Sequence, residues 1–136
     1  MNYWLVKSEP DVFSWDDLVR LKKTVWDGVR NYQARIHLKA MMKGDLVLFY
    51  HSNTGKEIVG IAEVSKTAFP DPTDSKWVSV ELTAMEKIKN PVSLVTIKLN
   101  KKLSQMTLIK NSRLSVQPVL SSEFNEIVRE IGRAHV

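Results

Sequence analysis

Apolar positions recur with two different periods along this chain, and the changes of period mark out its elements. Tyr3 to Val6 is a short apolar run that reads as a first strand. Ser14, with Asp17 three residues on, is a capping pair that opens a short helix carrying Leu18 and Leu21. Ala34, Leu38 and Met41 fall at helical spacing and predict a second helix from Asn31 to Met41, stopped by Lys43-Gly44. Leu46 to His51 is almost continuously apolar, the pattern of a strand covered on both faces. Asn53-Thr54-Gly55 is turn chemistry, so Glu57 to Val64 should return as its hairpin partner. Gly60 inside that strand predicts a bulge or a close approach by another group.

The second half is less regular. Phe69-Pro70-Asp71-Pro72 reads as a loop, because its prolines have no N–H to give a ladder. Trp77 to Ala84 alternates, with Val78, Val80, Leu82 and Ala84 on one face and Ser79, Glu81 and Thr83 on the other. That predicts a half-exposed antiparallel strand. Pro91 to Lys110 reads as short helical turns, with Ser93 a candidate cap and β-branched Val95, Thr96 and Ile97 opposing a longer helix. Ser115 to Val119 reads as a closing strand ended by Pro118. Phe124, Ile127, Val128 and Ile131 recur at i, i+3, i+4 and i+7, predicting a last helix that Gly132 ends. Strands and helices in this order, without regular βαβ alternation, give an α+β fold on a mostly antiparallel sheet.

Composition narrows the class. At 136 residues, with 43% hydrophobic and 26% charged, the chain suits one globular core. No repeat, low-complexity tract or Gly/Ser linker divides it, so a single domain over residues 1–136 is expected. Twenty Lys plus Arg against fifteen Asp plus Glu leave a net charge of +5, which suits a polyanion partner without requiring one. Cysteine is absent, which excludes disulfides, a thiolate nucleophile and cysteine metal sites, and fits a reducing cytoplasm. The first residues are broken by Lys7 and Glu9 and lack the apolar stretch of a signal peptide. The longest apolar run, Leu46 to Tyr50, is too short to span a bilayer. A soluble, cytoplasmic monomer is expected, since no apolar stripe is left without a partner.

Catalytic signatures are sparse. His51 and Ser52 are neighbours that a strand would point to opposite faces, and no Gly-x-Ser-x-Gly elbow is present. His37, His51 and His135 stand far apart, so no metal site is expected. Five scattered glycines build no phosphate loop. Asp16-Asp17 fall in a helix's first turn, where carboxylates offset the dipole. Glu9 has two readings: an acceptor for an exocyclic amine such as cytosine N4, or a partner for a nearby Arg.

The richest stretch is Trp26 to Ile36, WDGVRNYQARI. Aromatic faces stack on flat ligands, Asn and Gln read donor and acceptor edges, and Arg meets phosphate or a base edge. The rival reading is a helix entrance whose Trp and Tyr are simply buried. Asp27-Gly28 must turn the chain straight after Trp26, leaving the indole at an element's end. An aromatic at a pocket rim is worth about 1–3 kcal/mol per stacked base.

Five blocks stand in order: WLVKSEP from Trp4 to Pro10, WDGVRNYQAR from Trp26 to Arg35, FYHS from Phe49 to Ser52, FPD from Phe69 to Asp71, and RLSVQP from Arg113 to Pro118. With them the chain resembles the EVE domain family. The likeness runs through essentially the whole chain, and the Trp26 to Arg35 block is its most specific part. Ile36 departs, standing where the family usually carries Asn.

The resemblance implies a PUA-like open pseudo-barrel of mostly antiparallel strands with helices packed outside. It also implies kinship with YTH domains, which hold a methylated adenine in an aromatic cage. The implied function is a non-catalytic reader of a modified base, notably a modified cytosine, flipped out of DNA or RNA. By position, Trp26 would be the stacking wall, Ser8 and Glu9 the pocket edge, and Asp27, Asn31 and Tyr32 would line or support the pocket. Arg113 and Gln117 would lie near the nucleic-acid backbone or the pocket floor. Lys7, Arg30 and Arg35 would add salt-dependent backbone contacts. Such a reader needs no cofactor and no metal. Two rivals stay open: a small-ligand or protein-interaction module on the same fold, and an enzyme acting on a modified nucleobase with Glu9 or Asp27 as general base.

Overall fold

In the computed structural model, which describes the backbone of residues 1–131 and the side chains of residues 1–129, six strands form one sheet. They are β1 (Tyr3–Ser8), β2 (Lys23–Trp26), β3 (Leu46–His51), β4 (Glu57–Asp71), β5 (Asp74–Ser93) and β6 (Val116–Val119). Their order across the sheet is β2-β5-β4-β3-β1-β6. Every pairing is antiparallel except β1 with β3, which run parallel with Tyr3 opposite Leu46 and Ser8 opposite His51. The sheet keeps two separate edges and so is open, as the α+β pseudo-barrel requires.

The helices are short. They are α1 (Trp15–Leu21), α2 (Tyr32–Ala40), α3 (Leu94–Leu99), α4 (Thr107–Lys110) and α5 (Ser121–Asn125), with a 3-10 turn at Lys101–Leu103. None of the helices among the described residues is long and apolar enough to cross a membrane. Their starts follow the capping chemistry. Ser14 and Asp17 form the reciprocal pair at α1, Asn31 Oδ1 accepts from Ala34 N at 2.9 Å, and Ser93 Oγ accepts from Thr96 N at 3.1 Å.

Alternation along the central strands splits the core in two. Trp4, Val6, Val47 and Phe49 point to one face, where they meet Trp15 and Leu18 of α1 and Ala34 and Leu38 of α2. Leu5, Leu48 and Tyr50 point to the other, where Ile97, Leu108, Phe124 and Ile127 close over them. The continuous apolar run of β3 is therefore a strand buried on both sides, as expected.

Four expectations are corrected, and one strand is new. Pro91 to Ser93 end β5 rather than open the helical turns. Phe69 to Asp71 is not loop but the end of β4, with Pro70 opposite Val78. Beyond Val64, which still bonds to Gly44 and Asp45, β4 has a strand partner on one side only among the described residues, and a proline costs a strand little where one edge is open. The same reason lets β6, an edge strand, run through Pro118 to Val119 rather than end at it. β2 was not anticipated: its four residues hold too little pattern to announce a strand. The last helix turns from α to π geometry over Glu126–Ile131; the Ile131 side chain and the stop expected at Gly132 lie outside the described residues.

Gly60 meets both of its expectations. The register of β4 shifts on either side of it, and its Cα lies under the Trp15 indole, so an added Cβ would stand 2.4 Å from Trp15 Cε2.

Candidate functional site

The ends of β1 and β2 and the two loops that leave them enclose a cavity of about 480 Å³. That lies within the range of ligand-sized pockets. The first loop is tied down locally. Val12 N and Phe13 N both donate to Glu9 O at 2.9 Å, and Ser8 Oγ donates to Phe13 O at 2.5 Å. Phe13 is thereby fixed beside Trp26, its ring 6.1 Å away and nearly perpendicular at 79°. Phe49 meets Trp26 from the core at 5.6 Å and 80°. Two edge-on rings hold the half-buried indole as a rigid wall.

The second loop hangs on Asp71. After Trp26 the chain reverses at Gly28, whose φ of +78° suits a residue without a side chain. Gly28 N and Arg30 Nη1 each donate to Asp71 Oδ2 at 2.9 Å, and Thr73 donates to Oδ1 from both N and Oγ1. Burial alone would raise the Asp71 pKa, but the bonds from Thr73, Arg30 and Gly28 outweigh it and hold the carboxyl well below the usual range. Asp71 is thus a buried anion that fixes both the Gly28 turn and the Arg30 guanidinium.

Of the residues singled out in the sequence, Ser8, Glu9, Trp26 and Asp27 line the cavity, and so do Lys7 and Arg30. Among the described residues Glu9 forms no ion pair with an Arg; its Oε1 accepts from Asn53 Nδ2 at 2.7 Å. Lys7 Nζ donates to Ser112 O at 2.5 Å, and burial pushes its pKa below the ordinary lysine value. Asn31 and Tyr32 do not line the cavity: Asn31 caps α2, and Tyr32 packs on Trp77 outside it. Arg35 lies with them, 5.2 Å above the Tyr32 ring. Gln117 is buried on β6 and donates to the carbonyls of Asn111 and Leu114, so it braces the loop that carries exposed Arg113.

The lining mixes apolar walls (Val12, Phe13, Val25, Trp26, Val29) with two carboxylates and two cations. Such a site suits a flat, polar-edged molecule: the indole offers a stacking face, and Glu9 and Asp27 offer acceptors. The base–nucleophile pair of His51 and Ser52 does not form. His51 Nε2 accepts from Trp15 N at 3.0 Å, which engages its lone pair at the start of α1.

The sequence signature of the family described as EVE domain matches residues 2–130. This chain belongs to the EVE domain family. It is similar to thymocyte nuclear protein 1 of Mus musculus, 37% identical over 163 aligned positions that cover 93% of this chain and 72% of the mouse protein. A crystal structure of a protein from Agrobacterium tumefaciens is 46% identical with a TM-score of 0.92, covering 95% of this chain and 92% of that one. The structure of human THYN1 in complex with 5-methylcytosine-containing DNA is 31% identical, covers 100% of both chains and has a TM-score of 0.91. A YTH domain from Zygosaccharomyces rouxii shares the fold, with a TM-score of 0.62 at 14% identity.

Within this EVE fold, sequence reasoning missed Phe13 and Asp71. Nothing near Phe13 distinguishes it from a core aromatic. Asp71 did carry a signal, since it closes the Phe-Pro-Asp block, but the two prolines around it suggested a loop.

Proposed function

We propose that this protein is a non-catalytic reader that takes a modified base, flipped out of DNA or RNA, into the Trp26 cavity. One observation carries this reading: the Trp26-walled cavity occurs on a fold whose human member THYN1 forms a complex with 5-methylcytosine-containing DNA. Extruding a base costs a few kcal/mol, which stacking on Trp26 and hydrogen bonds at its edge offset. Ser8, Glu9 and Asp27 line the cavity, and the two carboxylates would accept from an exocyclic amine. Lys7 and Arg30 at the rim, with Arg35 and Arg113 beyond, supply sequence-blind phosphate contacts. Asn31 and Gln117 act indirectly, by holding α2 and the Arg113 loop. The missing cysteines fit the cytoplasm, where we place the protein as a monomer.

Fluorescence anisotropy tests the reading with single-stranded and duplex oligonucleotides carrying cytosine, 5-methylcytosine, 5-hydroxymethylcytosine or N6-methyladenine. Tighter binding to one modified base, lost in Trp26→Ala, is the expected result. Equal, weak binding to all of them, unchanged in Trp26→Ala, would overturn it and turn attention to small ligands and protein partners. Turnover of a modified nucleoside that disappears in Glu9→Gln would overturn the non-catalytic part.

A further inference from the structure

Outside the cavity, on the far side of Arg30, lies a second aromatic assembly that the pocket does not use. Tyr32, the first residue of α2, is 69% exposed, an unusual position for a ring of that size. Its ring sits 5.1 Å from that of Trp77 on β5, tilted by 34°. The Arg35 guanidinium lies 5.2 Å from the Tyr32 ring and 5.5 Å from the Trp77 ring, and its Nη1 donates to Lys76 O at 3.0 Å. Arg30 lies 5.7 Å from the Trp77 ring on its other connection, while also lining the cavity. The rings and the cavity are therefore joined through one side chain.

The charges differ in a telling way. Arg30 is neutralised by Asp71 at 2.9 Å. Arg35 has no carboxylate partner among the described residues, and Lys76 beside it adds a second cation. A guanidinium stacked on an aromatic stays oriented while its remaining N–H groups face outward, ready for a phosphate. Tyr32 keeps most of its surface open to a flat partner. An exposed stacking face with an unpaired planar cation beside it, adjoining a base-sized pocket, fits a nucleotide.

We infer that Tyr32, Trp77 and Arg35 form a second contact, in which an unpaired nucleotide neighbouring the one in the cavity stacks on Tyr32 and gives its phosphate to Arg35. This rests on the nucleic-acid reading of the cavity. It makes recognition depend on two adjacent unstacked nucleotides rather than one. The cost of opening a strand is then shared between two stacking sites, and a flanking base contributes affinity whatever its identity.

Two single-stranded probes test it by anisotropy, each with one 5-methylcytosine. One has ordinary bases on both sides; the other has abasic sites there, so its phosphates remain but its stacking faces are gone. Tyr32→Ala is expected to weaken binding of the first probe by about fivefold to 150-fold and to leave the second unchanged. Tyr32→Phe, which keeps the ring, is expected to bind both as the native protein does. Equal binding of the first probe by Tyr32→Ala and native protein would overturn the inference. So would an equal loss on both probes, or a native protein that binds both alike. The reading of the cavity is judged separately by Trp26→Ala. If that change has no effect while Tyr32→Ala weakens only the first probe, the cavity reading falls, and with it the placing of the stacked nucleotide beside a base in the cavity; only the stacking on Tyr32 stands. Because Tyr32 is exposed, its substitution leaves the core untouched, and the thermal midpoint of each variant checks this.

Discussion

The two faces of the sheet bury their side chains equally well and do different things with them. On one face Trp15, Phe49, Trp26 and Phe13 meet edge to face in turn, and the assembly runs out at the cavity, where Trp26 stays half-buried. On the other, Leu5, Leu48, Ile58, Ile97, Met106 and Ile127 supply most of the packing, with Tyr3 stacked on Phe124 at 4.3 Å. Flexible aliphatic chains fill space; paired rings fix orientation. The cavity thus adjoins one side of the sheet, and the aliphatic packing lies on the other.

The division is most severely tested by removing bulk from the aliphatic side. Leu48 is fully buried on β3, and Leu48→Ala is expected to lose about 2–5 kcal/mol in urea unfolding. Binding by the molecules that remain folded should be unchanged, in contrast to Trp26→Ala. Weakened binding in the folded fraction would show that the faces are not separable.

On the aromatic side, Gly60→Ala forces a methyl group to 2.4 Å from the Trp15 indole. The ring must move, and through Phe49 the shift reaches Trp26. A loss of about 1–3 kcal/mol is expected, together with a changed tryptophan emission spectrum. An unaltered spectrum would mean that the rings are not coupled as their contacts suggest. Asp71→Asn keeps the shape of the anchor and removes its charge. Stability should fall by about 1–3 kcal/mol, and the Arg30 resonances should broaden as the guanidinium is released.

The smallest effect concerns pH. Burial lowers the His51 pKa from 6.5, although Glu57 and Asp16 pull it the other way. A lowered histidine pKa means that the folded state resists a proton the unfolded state accepts. Stability is then full above pH 6.5 and declines as the pH falls from there toward the folded value. Protonation would also take the lone pair that accepts Trp15 N. Thermal midpoints across this range should fall in the native protein and stay flatter in His51→Gln.

Much of the fold was legible because it rests on local chemistry. Ser14 with Asp17, and Ser93, announce their helices through side-chain oxygens that bond backbone N–H groups within three residues, while the second helix showed in the spacing of Ala34, Leu38 and Met41. The doubly buried β3 is written in six consecutive residues. What pairing supplies was hidden. β2 is a strand because Trp26 and its neighbours find Val80 to Thr83 on β5, and Pro70 joins a ladder because the other edge there is empty.

The candidate site divides in the same way. The sequence by itself determined that Trp26 would stand at the end of an element, since Asp27-Gly28 must turn, and that Lys7, Ser8 and Glu9 would leave a strand together. Only the tertiary structure brought these two segments to one cavity and set Asp71, more than forty residues from Gly28, beneath the turn. It likewise sent Tyr32 out to Trp77 rather than into the pocket. Turns and caps depend on bonds within a few residues, so the sequence displays them; a cavity depends on which distant segments the sheet places side by side, and no local pattern encodes that distance.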